Sequence, residues 1–346
     1  MSIDRFAVAA FALGLALTVP TGAARACSVC LAGDPQYSQH GSSAQQEGSF
    51  SVYLQVQGWR KDSGLLPHGE PEEEHHDEEA EHHEEEGHHD EEGEGTERNQ
   101  SQRVDLFVSW TPVDRLTLTL DIPFAHNQIE EIEEDHRATH SLNGLGDIAF
   151  SASGVLWRNR AALPSTWIEG RFFLKTPTGP TNRKQGGIID PHLQTGTGSW
   201  DFGFGLAATH RFDNASIYGS IFLRENGTGD FGGIDYEYGD VMLLNAAAAV
   251  PIGHFFGLPK FRWLTLGTEL NYRWAGRDDV DGVPFRDSGG SVLYITPTTR
   301  IELPWGVTDR KATLRTAVQL PVTSKWLNGR QTEKEVWSVG IHVPFS

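Results

Sequence analysis

The chain has 346 residues, 38% of them hydrophobic and 22% charged, with a formal net charge of −19. A balance that acidic repels phosphate and excludes a nucleic-acid partner, and a mean hydropathy of −0.40 argues against a bundle of membrane-spanning helices. The charge is concentrated in one place: 68–95 holds 13 Glu and 2 Asp with no Lys or Arg, and without these 15 acids the balance falls from −19 to −4.

The first 26 residues read as a secretory signal. Arg5 supplies a positive start, Phe6 to Val19 is uncharged and apolar, and Ala24-Arg25-Ala26 offers small residues for cleavage. Cleavage there leaves Cys27 first, but Arg25 stands where lipid attachment wants a small residue. The expectation is a cleaved signal over 1–26, a periplasmic tail over 27–48 and a barrel over 49–346. Beyond Ala26 the longest purely aliphatic stretch is Ala246 to Val250, so a membrane span has to be made of strands.

From residue 49 onward the dominant period is two. Leu116, Leu118, Leu120, Ile122 and Phe124 share one face while Thr117, Thr119 and Asp121 share the other, which is a strand wet on one side. Comparable runs recur near 49–60, 101–111, 145–157, 166–176, 199–212, 214–224, 239–251, 261–274, 291–305, 311–323 and 337–345. About twelve strands of bilayer-crossing length result. Short links (112–115, 213–214, 306–310) alternate with long ones (61–100, 125–144, 177–198, 225–238, 275–290, 324–334). That rhythm predicts an all-β transmembrane antiparallel barrel of the Gram-negative outer membrane, with short periplasmic turns and long outer loops. All 10 Trp fall at or just beyond a proposed strand end, as in two interfacial girdles.

The face opposite the lipid-directed Leu, Ile and Val carries charge. Arg103, Asp105, Glu169, Arg171, Lys175, Glu269, Arg273, Arg300, Glu302 and Arg315 are expected to line the lumen, because a basic side chain facing lipid at the midplane costs ~2 to 4 kcal/mol. Two interiors fit: one closed by mutual ion pairs, or a wet pore with a transverse field.

Within the first long link, 61–100, His68, His75, His76, His82, His83, His88 and His89 sit among carboxylates as repeated doublets. Imidazole suits Zn and Cu and carboxylates complete the shell, so the loop is a candidate weak, exchangeable collector of Zn²⁺ or Cu ions. The alternative is a solvated acidic brush. Free imidazole titrates near 6.5, so acidification to about pH 5 should expel metal and leave most Glu charged. The second link repeats the theme with His126, His136 and His140 near Glu130, Glu131, Glu133, Glu134 and Asp135. Cys27 and Cys30 are the only cysteines; outside the cytoplasm a disulfide is the default, and a soft-metal site for Cu(I) or Zn(II) is the alternative. Asp230, Asp235, Glu237 and Asp240, and Asp278, Asp279 and Asp281, lack EF-hand spacing and read as loop polarity. No Gly-x-Ser-x-Gly elbow, phosphate loop or dinucleotide fingerprint is present, so no catalytic residue, required cofactor or enzyme activity is expected.

Gly144-Leu145-Gly146-Asp147-Ile148 opening one strand, and Lys175-Thr176-Pro177-Thr178-Gly179 closing the next, resemble the outer-membrane barrels assigned to the MetA pathway of phenol degradation. The resemblance covers roughly 49–346 and implies a transporter-like channel for small or aromatic solutes. The last strand resembles the signal read by the outer-membrane assembly machinery, with Phe345 penultimate and Ser346 last. The acidic His loop and the Cys pair fall outside that family pattern. The reading is therefore a channel for small solutes, divalent metal ions among them, in contact with outer-membrane lipid. The alternatives are a channel for aromatic or hydrophobic molecules, with Tyr53 and Phe107 on the lumen face, and a closed barrel scaffold that binds metal or a periplasmic partner.

Overall fold

The computed structural model describes residues 47–63, 96–132, 137–160, 164–187, 189–286, 288–305, 311–323, 327–328 and 332–345. The segment expected to be a signal, Cys27, Cys30 and all seven His of 68–89 lie outside the described residues.

Twelve antiparallel strands close on themselves. In chain order they are β1 (Phe50–Ser63), β2 (Thr96–Val113), β3 (Leu116–Ile132), β5 (Ala149–Arg158), β6 (Thr166–Lys175), β7 (Asp201–Arg211), β8 (Ser216–Glu225), β11 (Val241–Pro251), β12 (Leu264–Ala275), β15 (Gly290–Glu302), β16 (Thr313–Thr323) and β18 (Val336–Pro344). Each pairs with its sequence neighbour. The ring shuts because β1 is bonded on both sides: Val52 faces Val108 of β2 and Val343 of β18. Closure removes the free sheet edges that would otherwise template aggregation.

Period-two alternation decides which side chain goes where. Along β7, Phe202, Phe204 and Leu206 point outward and are exposed, while Asp201, Gly203, Ala207 and Thr209 are buried. The same outward row continues with Leu118, Phe150, Phe172, Ile221, Leu223, Leu244, Leu266, Leu270, Ile295 and Leu320, all exposed. A continuous apolar belt of this size has no stable place in water and suits hydrocarbon. Among the described residues no helix is long and apolar enough to cross a membrane.

The structure differs from the sequence expectation at the loops. The first outer link is shorter than 61–100, because β1 runs to Ser63 and β2 starts at Thr96. The link expected over 125–144 is mostly strand: β3 continues to Ile132 and pairs with β4 (Arg137–Leu145), a hairpin that prolongs the wall. Above the belt both faces of a strand are polar, so alternation loses the apolar signal by which a strand is recognised. On the other side the turns are short at 114–115 and 212–215, but 252–263 carries a helical turn (Ile252–Phe255) and exposes Phe255, Phe256, Leu258, Phe261 and Trp263.

The tryptophan girdle also needs correcting. Trp110, Trp157, Trp200, Trp263 and Trp274 are exposed, but Trp59 and Trp167 are buried in the interior. Trp59 packs with Val292, Tyr294 and Val336, and Trp167 lies under the Arg211 guanidinium at 4.7 Å. Position at a strand end does not decide the face; parity along the strand does.

Small strands outside the ring complete the outer side. β9 (Thr228–Asp230), β10 (Asp235–Glu237), β13 (Asp279–Val280) and β14 (Val283–Pro284) form a second sheet, and β17 (Thr332–Glu333) adds to the outer end of β1. The β13–β14 turn is Asp281-Gly282, both at positive φ (52° and 80°), the pairing a two-residue hairpin requires.

The barrel interior and its outer closure

The interior charges are arranged by strand register. Arg103 and Asp105 sit two residues apart on β2 and so share its interior face. They form an ion pair, and the second arm of Arg103 reaches Asp121 of β3 at 3.2 Å. Gln57 of β1 donates to the other oxygen of Asp105 at 3.0 Å, so this fully buried carboxylate is held from two strands. Arg171 and Glu169 repeat the spacing on β6, 3.7 Å apart. Glu269, buried on β12, accepts from Asn271, whose amide also donates to Asn245 at 2.8 Å and whose oxygen accepts from Thr296. Arg273 is paired with Glu333 of β17, which also accepts the Tyr294 hydroxyl.

Glu302 departs from the lumen expectation. It shares the inward face of β15 with Arg300 but stands at the inner rim, 44% exposed and 3.2 Å from Lys311. Its strand ends there, so no wall remains to bury it.

The outer closure is built from segments far apart in sequence. Between β4 and β5 the chain leaves strand geometry for Gly146, Asp147 and Ile148. Asp147 Oδ1 accepts the Gly179 N–H at 2.8 Å, and Oδ2 accepts both the N–H and the hydroxyl of Thr197 at 2.7 Å. Lys175, buried at the end of β6, lies 3.6 Å from Asp147 and is ion-paired with Asp201 at the start of β7. The 176–200 link is thus fastened across its base.

Its far end reaches the interior: Asn127 of β3 donates to the Gln194 carbonyl at 2.7 Å, and Leu193 to Thr197 are buried. Gln194 clamps the link by accepting from the Arg183 N–H at 3.0 Å and donating to the Arg183 carbonyl at 2.9 Å. Gly196 has to be glycine here, since a Cβ would lie 2.4 Å from the Gly179 backbone.

Above this closure sits a buried aromatic cluster, Phe231, Tyr236 and Tyr238 packed with Ile189 and Val280. The Tyr238 hydroxyl donates to the Pro191 carbonyl at 2.9 Å and ties the small outer sheet to the same link. The acidic loop residues act as fasteners here. Asp278 accepts from the Tyr236 hydroxyl and the Gly239 N–H, Asp281 from the Asp235 N–H, and Asp240 from the Asn226 N–H. Among the described residues no group of three His, Cys, Asp or Glu could hold a metal ion. The hairpin register puts His126 opposite Asn143 and His140 opposite Ile129, so these two His fall on opposite faces.

Alternation along the sequence places the charges of β2, β6, β12, β15 and β16 on the inward face but does not single out their partners Asp121, Asp147, Asp201 and Glu333, nor Asn127, which holds the 176–200 link. Asp121 and Asp201 were available from parity alone. Asp147 and Glu333 lie outside regular alternation, where only the Gly-rich motif around Asp147 gave a signal.

No protein-family model matches the sequence, and no curated protein matches it. Among solved structures the chain is similar to an outer-membrane channel from Pseudomonas putida F1, at a TM-score of 0.60 and 13% identity, over 89% of this chain and 100% of that one. It is also similar to the translocator domain of the autotransporter NalP from Neisseria meningitidis (TM-score 0.42, 10% identity, 98% and 97% covered) and to the Ralstonia pickettii toluene transporter TbuX (0.38, 8%, 87% and 90%).

Proposed function

We propose that this chain is an outer-membrane channel for small solutes, exported by its first 26 residues, inserted by the assembly machinery and equipped with a metal-gathering first outer loop. The observation that carries the reading is the division of the barrel: an unbroken apolar belt outside and ionised side chains inside. A water-soluble barrel has no use for the first, and a plain structural barrel gains little from the second, since buried ion pairs are weak contributors to stability. The Pseudomonas barrel, described as an outer-membrane channel, supports the same reading by its fold.

In the proposed mechanism the His and Glu of 68–95, which include His68, His75, His76, His82, His83, His88 and His89, raise the local concentration of Zn²⁺ or Cu ions at the mouth, an effect that salt screens. Cys27 and Cys30 are proposed as a disulfide or a soft-metal pair in the periplasmic tail. The test is single-channel conductance of the purified barrel in a planar bilayer, with micromolar Zn²⁺ or Cu²⁺ added to the loop side and then chelated. Conductance steps that change reversibly with metal, and that lose this response when 68–95 is deleted, are the expected result. Silence in every condition refutes the channel, and an unaltered response in the deletion refutes the loop.

A second reading, passage of aromatic solutes, is favoured by Tyr53 and Phe107. They are buried in the interior and stacked at 5.8 Å with an interplanar angle of 27°. Uptake of an aromatic carbon source against uptake of metal separates the two.

A further inference from the structure

Two interior guanidinium groups differ from every pair described above. Arg300 of β15 and Arg315 of β16 stand directly opposite each other in the ladder, both on the inward face. Like charges opposed at one cross-strand step destabilise a sheet. Among the described residues no carboxylate lies within ion-pair distance of either, the nearest acid on the strand, Glu302, being engaged by Lys311. The Nε of Arg315 is buried and makes no hydrogen bond. A buried donor on a charged group is costly to leave unmade, so the arrangement asks for an acceptor.

The surroundings fix this geometry without neutralising it. Gly340 of β18 faces Arg315 in register, and a Cβ there would fall 2.5 Å from the Tyr53 hydroxyl, so the missing side chain is what admits the Tyr53 ring. Arg315 then lies over that ring at 5.6 Å, and Tyr53 stacks in turn on Phe107. His342, opposite Tyr53 in register, has its ring 6.4 Å away. Two opposed guanidinium groups thus sit beside an aromatic wall near the inner end of the barrel.

We propose that Arg300 and Arg315 form an anion site that holds the carboxylate of a small organic solute, with the Tyr53–Phe107 stack receiving its apolar body. Two guanidinium forks can each donate paired N–H groups to one carboxylate, which cancels their repulsion and satisfies the buried Nε. The aromatic wall selects an organic acid over inorganic phosphate, which has no apolar surface to cover it. The proposal rests on the channel reading for how a solute reaches the interior, but not for whether the site binds.

The test uses the full-length protein in detergent, with benzoate, acetate and inorganic phosphate as probes in calorimetric titrations. The heat-induced mobility shift of the folded barrel checks each variant. Benzoate should bind more tightly than acetate or phosphate. R300Q and R315Q should each weaken it about tenfold or more, the loss expected of one charge-assisted contact. Tyr53→Leu should erase the preference for benzoate over acetate while acetate still binds. R158Q, at the inner rim and paired with Asp114, should bind like the parent. Folded parent protein that binds no benzoate, or R315Q binding it unchanged, overturns the site; phosphate binding that depends on the arginines and outcompetes benzoate overturns the organic-acid assignment. Arginine-dependent binding in a barrel that passes no current refutes the channel and leaves the site; current without binding does the reverse.

Discussion

The outer and inner ends of the barrel interior use the same residue types to opposite ends. At the outer end Lys175, Asp147 and Asp201 form one knot into which Thr197 and Gly179 also donate, and Arg273, Glu333 and Tyr294 form another. At the inner end Arg300 and Arg315 face each other with no carboxylate within ion-pair distance among the described residues. A buried charge that is paired and hydrogen-bonded is compensated, so that removing its partner is costly, whereas like charges opposed across a ladder weaken it. The outer end is therefore where the chain is fastened, and the inner end where two like charges stand opposed.

The sharpest way to break the contrast is at Asp147. D147A removes three accepted hydrogen bonds and one charge beside buried Lys175, and should cost about 3 kcal/mol. It should also loosen the 176–200 link and raise conductance. The temperature of the mobility shift and single-channel current check both effects. Next comes G196A, whose Cβ meets the Gly179 backbone at 2.4 Å; overpacking there should cost about 2 kcal/mol by the same thermal assay while leaving every charge in place.

At the inner end the sign should reverse. R315Q, measured without added anion, should leave stability unchanged or raise it by up to ~1 kcal/mol, because it relieves a like-charge cross-strand pair. A loss as large as that of D147A would mean that Arg315 is as structural as the outer knot.

The smallest effect belongs to Asp62, above the belt on β1. Burial raises its pKa, but Arg60 at 3.0 Å, Arg98 at 3.4 Å and Lys334 outweigh that and hold the carboxyl below its ordinary value. A carboxyl depressed on folding contributes stability above its unfolded pKa and loses it as pH falls through the folded one. D62N should cost no more than ~1 kcal/mol at neutral pH, since the pair is partly exposed. The difference from the parent should vanish on strong acidification, as followed by thermal midpoints across pH.

How much of this was legible follows from period and parity. Alternation of Leu, Ile and Phe with polar residues located the twelve strands and the inward face that carries Arg103, Glu169, Glu269 and Arg315. It failed where both faces are polar, hence the unrecognised β3–β4 hairpin, and where a strand end misled, hence the inward Trp59 and Trp167. The Gly144–Ile148 and Lys175–Gly179 segments were visible as motifs, but that Asp147 receives the Gly179 N–H and faces Lys175 was not.

The sequence by itself determined the barrel class and the strand count, because side-chain period and hydrophobicity are properties of one strand at a time. Only the tertiary structure decided who stands opposite whom. Register sets Arg300 against Arg315, brings Glu333 to Arg273, and lets Gly340 make room for Tyr53. Pairing across the ladder depends on the shift between strands, which no single strand records.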